Sequence, residues 1–217
     1  DKIKKKEIVV NDKILLGLKY HGVYKMNIPR KEVDKYYKFI EKIINHINKK
    51  HEFTEKNKYI FQICGSYRRE KLFSNDIDVL ISKIGTKNDK TKCEKHLERM
   101  IKKLKRDLKI NNDKPLLLDD MTDKNVKTKY MGFSKLKDNP IRRIDIRFVP
   151  YDSYFSALLY FTGSGDLNQK MRKVAKDKGY KLSEYGLFDS NGERFKIKSE
   201  RDIFKKLDIE YLPPKLR

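Results

Sequence analysis

Within fourteen residues, GSYRREKLFSNDID (65–78), the chain sets a Gly-Ser, an arginine pair and two aspartates one residue apart. In a strand, alternate side chains share a face. Asp76 and Asp78 therefore point one way, while Ile77, Val79 and Ile81 point to a core. RRIDIRFV (142–149) repeats the pattern, with Asp145 opposite Ile144, Ile146 and Phe148. If the two strands are neighbours, three carboxylates share one patch. Like charges that close raise one another's pKa unless cations occupy the site. Magnesium suits it, because a few carboxylate oxygens and substrate phosphates complete its octahedron. Two such ions activate an attacking hydroxyl and stabilise a leaving pyrophosphate. Gly65 admits close approach of a phosphate, the Ser66 hydroxyl and backbone N–H groups can bind it, and Arg69 can neutralise it. Taken singly, Asp-X-Asp is an ordinary acidic pattern and Arg68-Arg69 ordinary surface charge. Their combination points to phosphoryl transfer.

These residues need elements to position them. IPRKEVDKYYKFIEKIINHINKK (28–50) predicts an amphipathic helix, with Val33, Tyr37, Ile40, Ile44 and Ile47 at helical steps and Pro29 in its first turn. YIFQIC and IDVLIS predict strands on either side of the Gly-Ser-Arg-Arg segment. Leu97, Met100, Ile101, Leu104 and Leu108 mark a second helix, and LLLD, TKYMGF and RRIDIRFV further strands. The pattern predicts an α+β fold, a mixed sheet with helices on one face. After Pro150 the character changes. YFSALLYFTGSG leads into a lysine-rich helix closed by Gly179, then a hairpin turning at Asn191-Gly192 and a last short helix. The expected organisation is 1–28 as a connecting remnant, 29–150 as the catalytic domain and 151–217 as a small α+β subdomain.

Lysine and arginine number 53 against 31 acids, a formal charge of +22. A field that strong favours a polyanionic partner, above all nucleic acid, although an A·T-biased genome also enriches Lys, Asn and Ile. Cys64 and Cys93 have no metal-ligand or disulfide spacing, which fits a reducing, intracellular setting. No apolar run approaches a membrane span, so no membrane partner is expected.

Gly65-Ser66, Arg69, Asp76 and Asp78 together resemble the signature of the DNA polymerase β-like nucleotidyltransferases, the family X DNA polymerases. GLKYHGVYKMNIPR resembles that family's fingers-to-palm segment, and KTKYMG, RRIDIR, YFTGS, NQKMR and SEY follow in its order and spacing. The resemblance runs from about Leu16 to the end. It implies a palm and a thumb-like subdomain, with Asp76, Asp78 and Asp145 as the metal triad and Asp145 nearest the primer 3′-hydroxyl. It implies two Mg2+ ions, with Mn2+ as a substitute. Gly65, Ser66 and Arg69 would hold the β- and γ-phosphates of a dNTP. Tyr160, Phe161 and Gly163 would form the turn beneath its sugar that excludes a 2′-hydroxyl, and Asn168 would read the minor-groove edge of its base. Arg143 would lie beside the primer end, Arg172 on the template strand and Lys129 near the DNA backbone. Read without the family, YFTG is a core aromatic pair before a turn, and Arg172 one charge on a basic helix.

Two positions depart from the pattern. Asn75 stands where glycine is usual, a substitution that an αL turn tolerates, and Gly165 lacks the side chain that often stacks near the base. Upstream of residue 16 no lyase domain or helix-hairpin-helix is legible, and the chain opens on Asp1, which suggests a fragment or a reduced polymerase. The implied activity is template-directed addition of dNMP to a primer 3′ end on gapped or primer–template DNA, by a monomer, in the nucleus or at a site of viral DNA replication or repair. The rivals are a template-independent terminal transferase, a nucleotidyltransferase acting on RNA ends and a non-catalytic DNA-binding protein.

Overall fold

The computed structural model describes residues 11–23, 26–106, 114–122 and 125–217. A short helix, α1 (Asp12–Lys19), precedes a two-residue strand β1 (Ile28–Pro29) and the long helix α2 (Arg30–Lys50). Pro29 is not in the first turn. It ends β1 as the extended residue before the helix, where its missing N–H costs nothing. Tyr36 rather than Tyr37 sits in the buried stripe, with Val33, Ile40, Ile43, Ile44 and Ile47, while Tyr37 lies at its margin against Phe61.

Next come β2 (Tyr59–Ile63), the single turn α3 (Gly65–Arg68), β3 (Phe73–Ser74), β4 (Ile77–Lys83) and α4 (Lys90–Arg106). Then β5 (Leu117–Asp120), β6 (Lys129–Ser134) and β7 (Arg142–Phe148) complete a five-stranded sheet in the order β2-β4-β7-β6-β5. Only the β4–β7 pair is parallel. Leu97, Met100 and Leu104 of α4 are buried as their spacing predicts, and Leu108 lies outside the described residues.

The main core lies between one sheet face and the pair α2 and α4. Ile77, Val79 and Ile81 of β4 and Ile144, Ile146 and Phe148 of β7 all enter it. The opposite face is not bare. Leu80, two residues beyond Asp78, packs with Cys64, Val149, Tyr154, Ala157 and Leu158 beneath helix α5 (Tyr154–Thr162). The expectation of helices on one face holds for α2 and α4; α5 covers the other because the alternation that exposes Asp78 ends in an apolar Leu80.

The C-terminal part adds α6 (Gly165–Asp177), β8 (Lys181–Ser183), β9 (Gly186–Phe188) and α7 (Glu200–Leu207) around a second core of Leu159, Met171, Leu187, Ile203, Phe204 and Leu207. Ser183 pairs with Gly186, so the β8–β9 hairpin turns at Glu184-Tyr185, not at Asn191-Gly192. The Asn-Gly dipeptide makes a second return, with Gly192 at φ +80° and Phe188 bridged to Arg194. A capping box of Ser199 and Asp202 starts α7.

Candidate active site

Parallel pairing places Asp78 of β4 directly beside Asp145 of β7, and Asp76 lies in the turn that enters β4. Burial, then the charges of Asp76 and Asp145, push Asp78 up to about 7, while Arg147 and Arg143 pull it the other way. Asp76 is raised as well, by burial and then by Asp145. Asp145 accepts hydrogen bonds from Arg143 Nη2 at 2.9 Å and Nε at 3.2 Å. Among the described residues, no three His, Cys, Asp or Glu side chains close on a common ion position as they stand. The donor chemistry nevertheless fits a hard divalent cation: the carboxylates are crowded, burial and then neighbouring charge raise Asp76 and Asp78, and oxygen is the ligand such ions take.

Gly65 opens α3 at φ +55°, and a Cβ there would collide with the Asp78 carboxylate. The space its missing side chain leaves is therefore already used by Asp78, a reason for glycine that the sequence did not show. The Ser66 hydroxyl donates to Ser74 Oγ at 2.9 Å. Arg69 donates from Nη1 to the Thr162 carbonyl at 2.6 Å, and its buried Nε has no partner among the described residues. Gly163, at φ +75°, ends α5, and a Cβ on it would lie 3.1 Å from Arg69 Nη1. The Gly-Ser-Arg-Arg loop and the YFTG turn thus meet. Asn75 is not among the left-handed residues; Glu70, at φ +61°, takes that conformation in this loop.

Tyr160 and Phe161 form an edge-to-face pair with centroids 5.1 Å apart, but their surroundings differ. Phe161 lies beneath the Arg147 guanidinium at 4.8 Å and lines a cleft with Cys64, Asp78, Asp145 and Arg147. Tyr160 lines a separate small pocket with Asn168 and Arg172. The Asn168 amide donates to the Tyr160 carbonyl at 2.7 Å, and the Arg172 guanidinium stands 5.9 Å from the Tyr160 ring centre. Lys129 is the cross-strand partner of Arg147, two residues along the ladder from the Met131–Asp145 pair. The structure thus gathers Gly65, Arg69, Asp76, Asp78, Arg143, Asp145, Phe161 and Gly163, keeps Ser66 in the adjoining loop, and sets Tyr160, Asn168, Arg172 and Lys129 around the edge.

Two features lie beyond the sequence reading. Arg147 shares the carboxylate face, as the alternation of residues 143, 145 and 147 already implied. Arg68 is not surface charge. It bonds Thr162 Oγ1 at 2.6 Å and pairs with Glu200 at 2.6 Å, and Glu200 also accepts from Arg217 at 2.6 Å. Nothing in the spacing of these residues signals that meeting.

A mixed sheet with carboxylates on adjacent parallel strands, a Gly-Ser loop at its edge and a small helical subdomain beside it is the architecture of a nucleotidyltransferase palm and thumb. Residues 27–151 match the family model of the DNA polymerase beta palm, and residues 157–217 that of the DNA polymerase beta thumb. The chain belongs to the DNA polymerase β family, family X. It is 31% identical over 212 residues to DNA polymerase lambda of Arabidopsis thaliana, covering 92% of this chain and 38% of that polymerase. It is 39% identical over 99 residues to the Rattus norvegicus DNA polymerase lambda, covering 40% of this chain and 17% of that one. The chain therefore spans well under half the length of these curated relatives. The crystal structure of Leishmania infantum polymerase beta, a ternary P/T complex, superimposes with a TM-score of 0.81 at 27% identity, covering 99% of this chain and 86% of that one.

Proposed function

We propose that this chain is the catalytic core of a template-directed DNA polymerase that adds dNMP to a primer 3′-hydroxyl with release of pyrophosphate, filling short gaps in DNA during base excision repair. The observation that carries the reading is the in-register Asp78–Asp145 pair, which shares a cleft with Phe161 beside the Arg69–Thr162 junction. Asp76, Asp78 and Asp145 would hold two Mg2+ ions, or Mn2+ in their place. Bound there, such ions polarise the phosphate and make the attacking hydroxyl more acidic.

The protein's own groups account for the rest. Ser66 and Arg69 hold the β- and γ-phosphates, Arg69 having donors left beyond its bond to Thr162. The primer 3′-hydroxyl loses its proton to solvent as its oxygen forms the bond to the α-phosphorus and the bond to the β-phosphate's bridging oxygen breaks, and the pyrophosphate leaves along the Ser66–Arg69 loop. Such a transfer depends on positioning and charge stabilisation more than on covalent chemistry by the protein. Arg143, released from Asp145, is free to meet the primer end. The Gly163 backbone lies under the sugar and leaves no room for a 2′-hydroxyl. Asn168, with one amide hydrogen committed to Tyr160, has a second for the minor-groove acceptor of the incoming base. Arg172 takes the template strand and Lys129 the DNA backbone. The ternary P/T complex of the Leishmania protein supports primer–template DNA as the substrate. The protein works as a monomer in a reducing compartment where DNA is repaired or replicated, with Cys64 and Cys93 as free thiols.

Primer extension with one dNTP at a time, on gapped, recessed and template-free substrates, tests the reading. Insertion of only the complementary dNMP, best on the gapped substrate, is expected. Untemplated addition at a similar rate would favour a terminal transferase, and equal use of ribonucleotides an enzyme of RNA ends.

A further inference from the structure

At the end of α5 opposite the Gly163 turn lies a groove of about 570 Å³, within the range of about 300–1,000 Å³ that small-ligand sites occupy. One wall is the entry to α5, with Tyr151 and Phe155, whose ring centres are 6.3 Å apart and inclined at 61°. The other wall is the segment 194–198 that leads into α7. There the half-buried Phe195 and Ile197 alternate with the exposed Lys196 and Lys198. Tyr151 and Phe155 pack on the cluster beneath α5, Phe195 and Ile197 on the second core, so the groove is the seam between two cores.

Arg194 fastens that seam. Its Nη1 pairs with the Asp152 carboxylate at 3.1 Å, and its Nη2 donates to the Asp152 and Tyr185 carbonyls and to Ser153 Oγ. The pairing of Arg194 with Asp152 leaves Lys196 and Lys198 as the lining charges with no ion pair among the described residues. Asp202, close to Lys198 in space, turns its carboxylate to the backbone N–H groups of Lys198 and Ser199 at 2.7 and 3.0 Å. Lys206 Nζ, 4.8 Å from the Phe195 ring centre, adds a further cation behind the wall.

We infer that this groove takes unpaired nucleotides of a DNA single strand that runs beyond the duplex held at the catalytic cleft. A half-buried aromatic at a core edge is ordinary by itself. Three that converge on one space, with two lysines at its rim, form a stacking platform beside phosphate-neutralising charge, the combination by which proteins hold single strands whatever their sequence. A duplex keeps its bases stacked inward and could use only the lysines. The groove also lies within reach of the catalytic cleft. Gly163 is eight residues beyond Phe155, about 12 Å along the helix, which is the length of three to four stacked nucleotides at about 3.4 Å each. A strand leaving the cleft must therefore be at least about four nucleotides long to enter.

The inference rests on the proposal that this chain acts on DNA, and its test separates the two. Primer–template duplexes with template overhangs of one, four and ten thymidines are titrated into the protein, and dissociation constants are read by anisotropy. The wild type is expected to bind the ten-nucleotide overhang about 5–150-fold more tightly than the one-nucleotide overhang for each base stacked. Phe155→Leu/Phe195→Leu keeps apolar bulk but removes two π-faces, so most of that gain should vanish while the one-nucleotide complex is unchanged. Phe155→Tyr should keep the gain. Lys196→Gln/Lys198→Gln alters only exposed side chains, and it keeps the test decisive if the ring variant unfolds. It should lower the log–log salt slope of the ten-nucleotide complex by up to about 1.4, at about 0.7 per contact on a single strand. A 5-iododeoxyuridine placed sixth in the overhang should crosslink under light to Tyr151, Phe155 or Phe195. Equal affinity for all overhangs on the wild type, a gain intact in both variants, or a crosslink that maps elsewhere overturns the inference. So does competition by free dTMP at the concentration of the oligonucleotide, which would make the groove a mononucleotide site. Failure of the polymerase reading looks different: the overhang gain persists, but no dNMP is added.

Discussion

Asp145 stands between Asp78, its in-register neighbour, and Arg143, which bonds it. Asp145→Ala removes a carboxylate from the proposed metal site but no cation. Extension is therefore expected to fall about 10²–10³-fold or more, with the DNA dissociation constant changed by less than threefold; single-turnover extension and anisotropy measure the two. Extension within tenfold of wild type would remove Asp145 from the proposed triad. Gly65→Ala is expected to be nearly as damaging for a different reason. It puts an L-residue at φ +55°, costing about 1–2 kcal/mol, and drives a methyl group into the Asp78 carboxylate. Lowered melting temperature together with lost extension is the expected result; a variant of unchanged stability and activity would show that the loop relaxes freely. Asp78 and Asp145 were legible because strand alternation is strict and isoleucine flanks both, whereas Asp76, in the turn before β4, showed only by its spacing to Asp78. The tight fit of Gly65 was not, because it depends on a contact between two elements rather than on local spacing.

Elements were legible where their periodicity was long. The α2 and α4 stripes and the alternation in β4 and β7 follow directly from residue spacing. The β8–β9 turn did not show itself because neither Glu184 nor Tyr185 has a positive φ, so no glycine or asparagine was needed there. The more conspicuous Asn191-Gly192 lies seven residues beyond the true turn. Packing between α4 and the sheet also hides a titration. His96 Nδ1 shares a 2.6 Å hydrogen bond with the Tyr59 hydroxyl, and its ring stacks on Phe148 at 5.0 Å. Burial, then Lys83 and Arg99, lower its pKa to about 4 from an ordinary 6.5. The unfolded chain therefore binds a proton that the folded chain refuses between those values, and stability falls as pH drops from about 6.5 to about 4. Urea unfolding at pH 7, 6 and 5 should show the midpoint falling with acidity. His96→Gln, which can still accept the Tyr59 hydrogen bond, should flatten that dependence. An equal pH slope in wild type and variant would place the titration elsewhere.

At the scale of the whole molecule, one buried carboxylate joins parts that lie far apart in the chain. Glu200, at the start of α7, accepts two hydrogen bonds from Arg68, at 2.6 and 2.9 Å, and one from Arg217 at 2.6 Å, while only 6% exposed. Arg68 adjoins Arg69 in the phosphate-loop candidate and also bonds Thr162 Oγ1, whose residue gives its carbonyl to Arg69. A single buried charge thus links the C-terminal subdomain to the Gly-Ser-Arg-Arg loop. Glu200→Gln leaves two buried guanidinium groups without their counter-ion, which costs about 3–5 kcal/mol, or on the order of 10 °C in melting temperature for a chain of this size. Burial alone would raise the pKa of Glu200, but the bonds from Arg68 and Arg217 outweigh it and hold the folded value below the ordinary 4.5. The stabilisation is therefore present above the unfolded pKa and lost as pH falls through the folded one. The melting gap between wild type and Glu200→Gln should be full at pH 7 and shrink below about pH 4. If Arg68 also holds Arg69 in place, the variant should show a raised KM for the nucleotide at temperatures well below its melting point, with the DNA dissociation constant unchanged. A gap under about 2 °C at neutral pH, or one that does not narrow in acid, would mean that these three residues are near one another without being coupled.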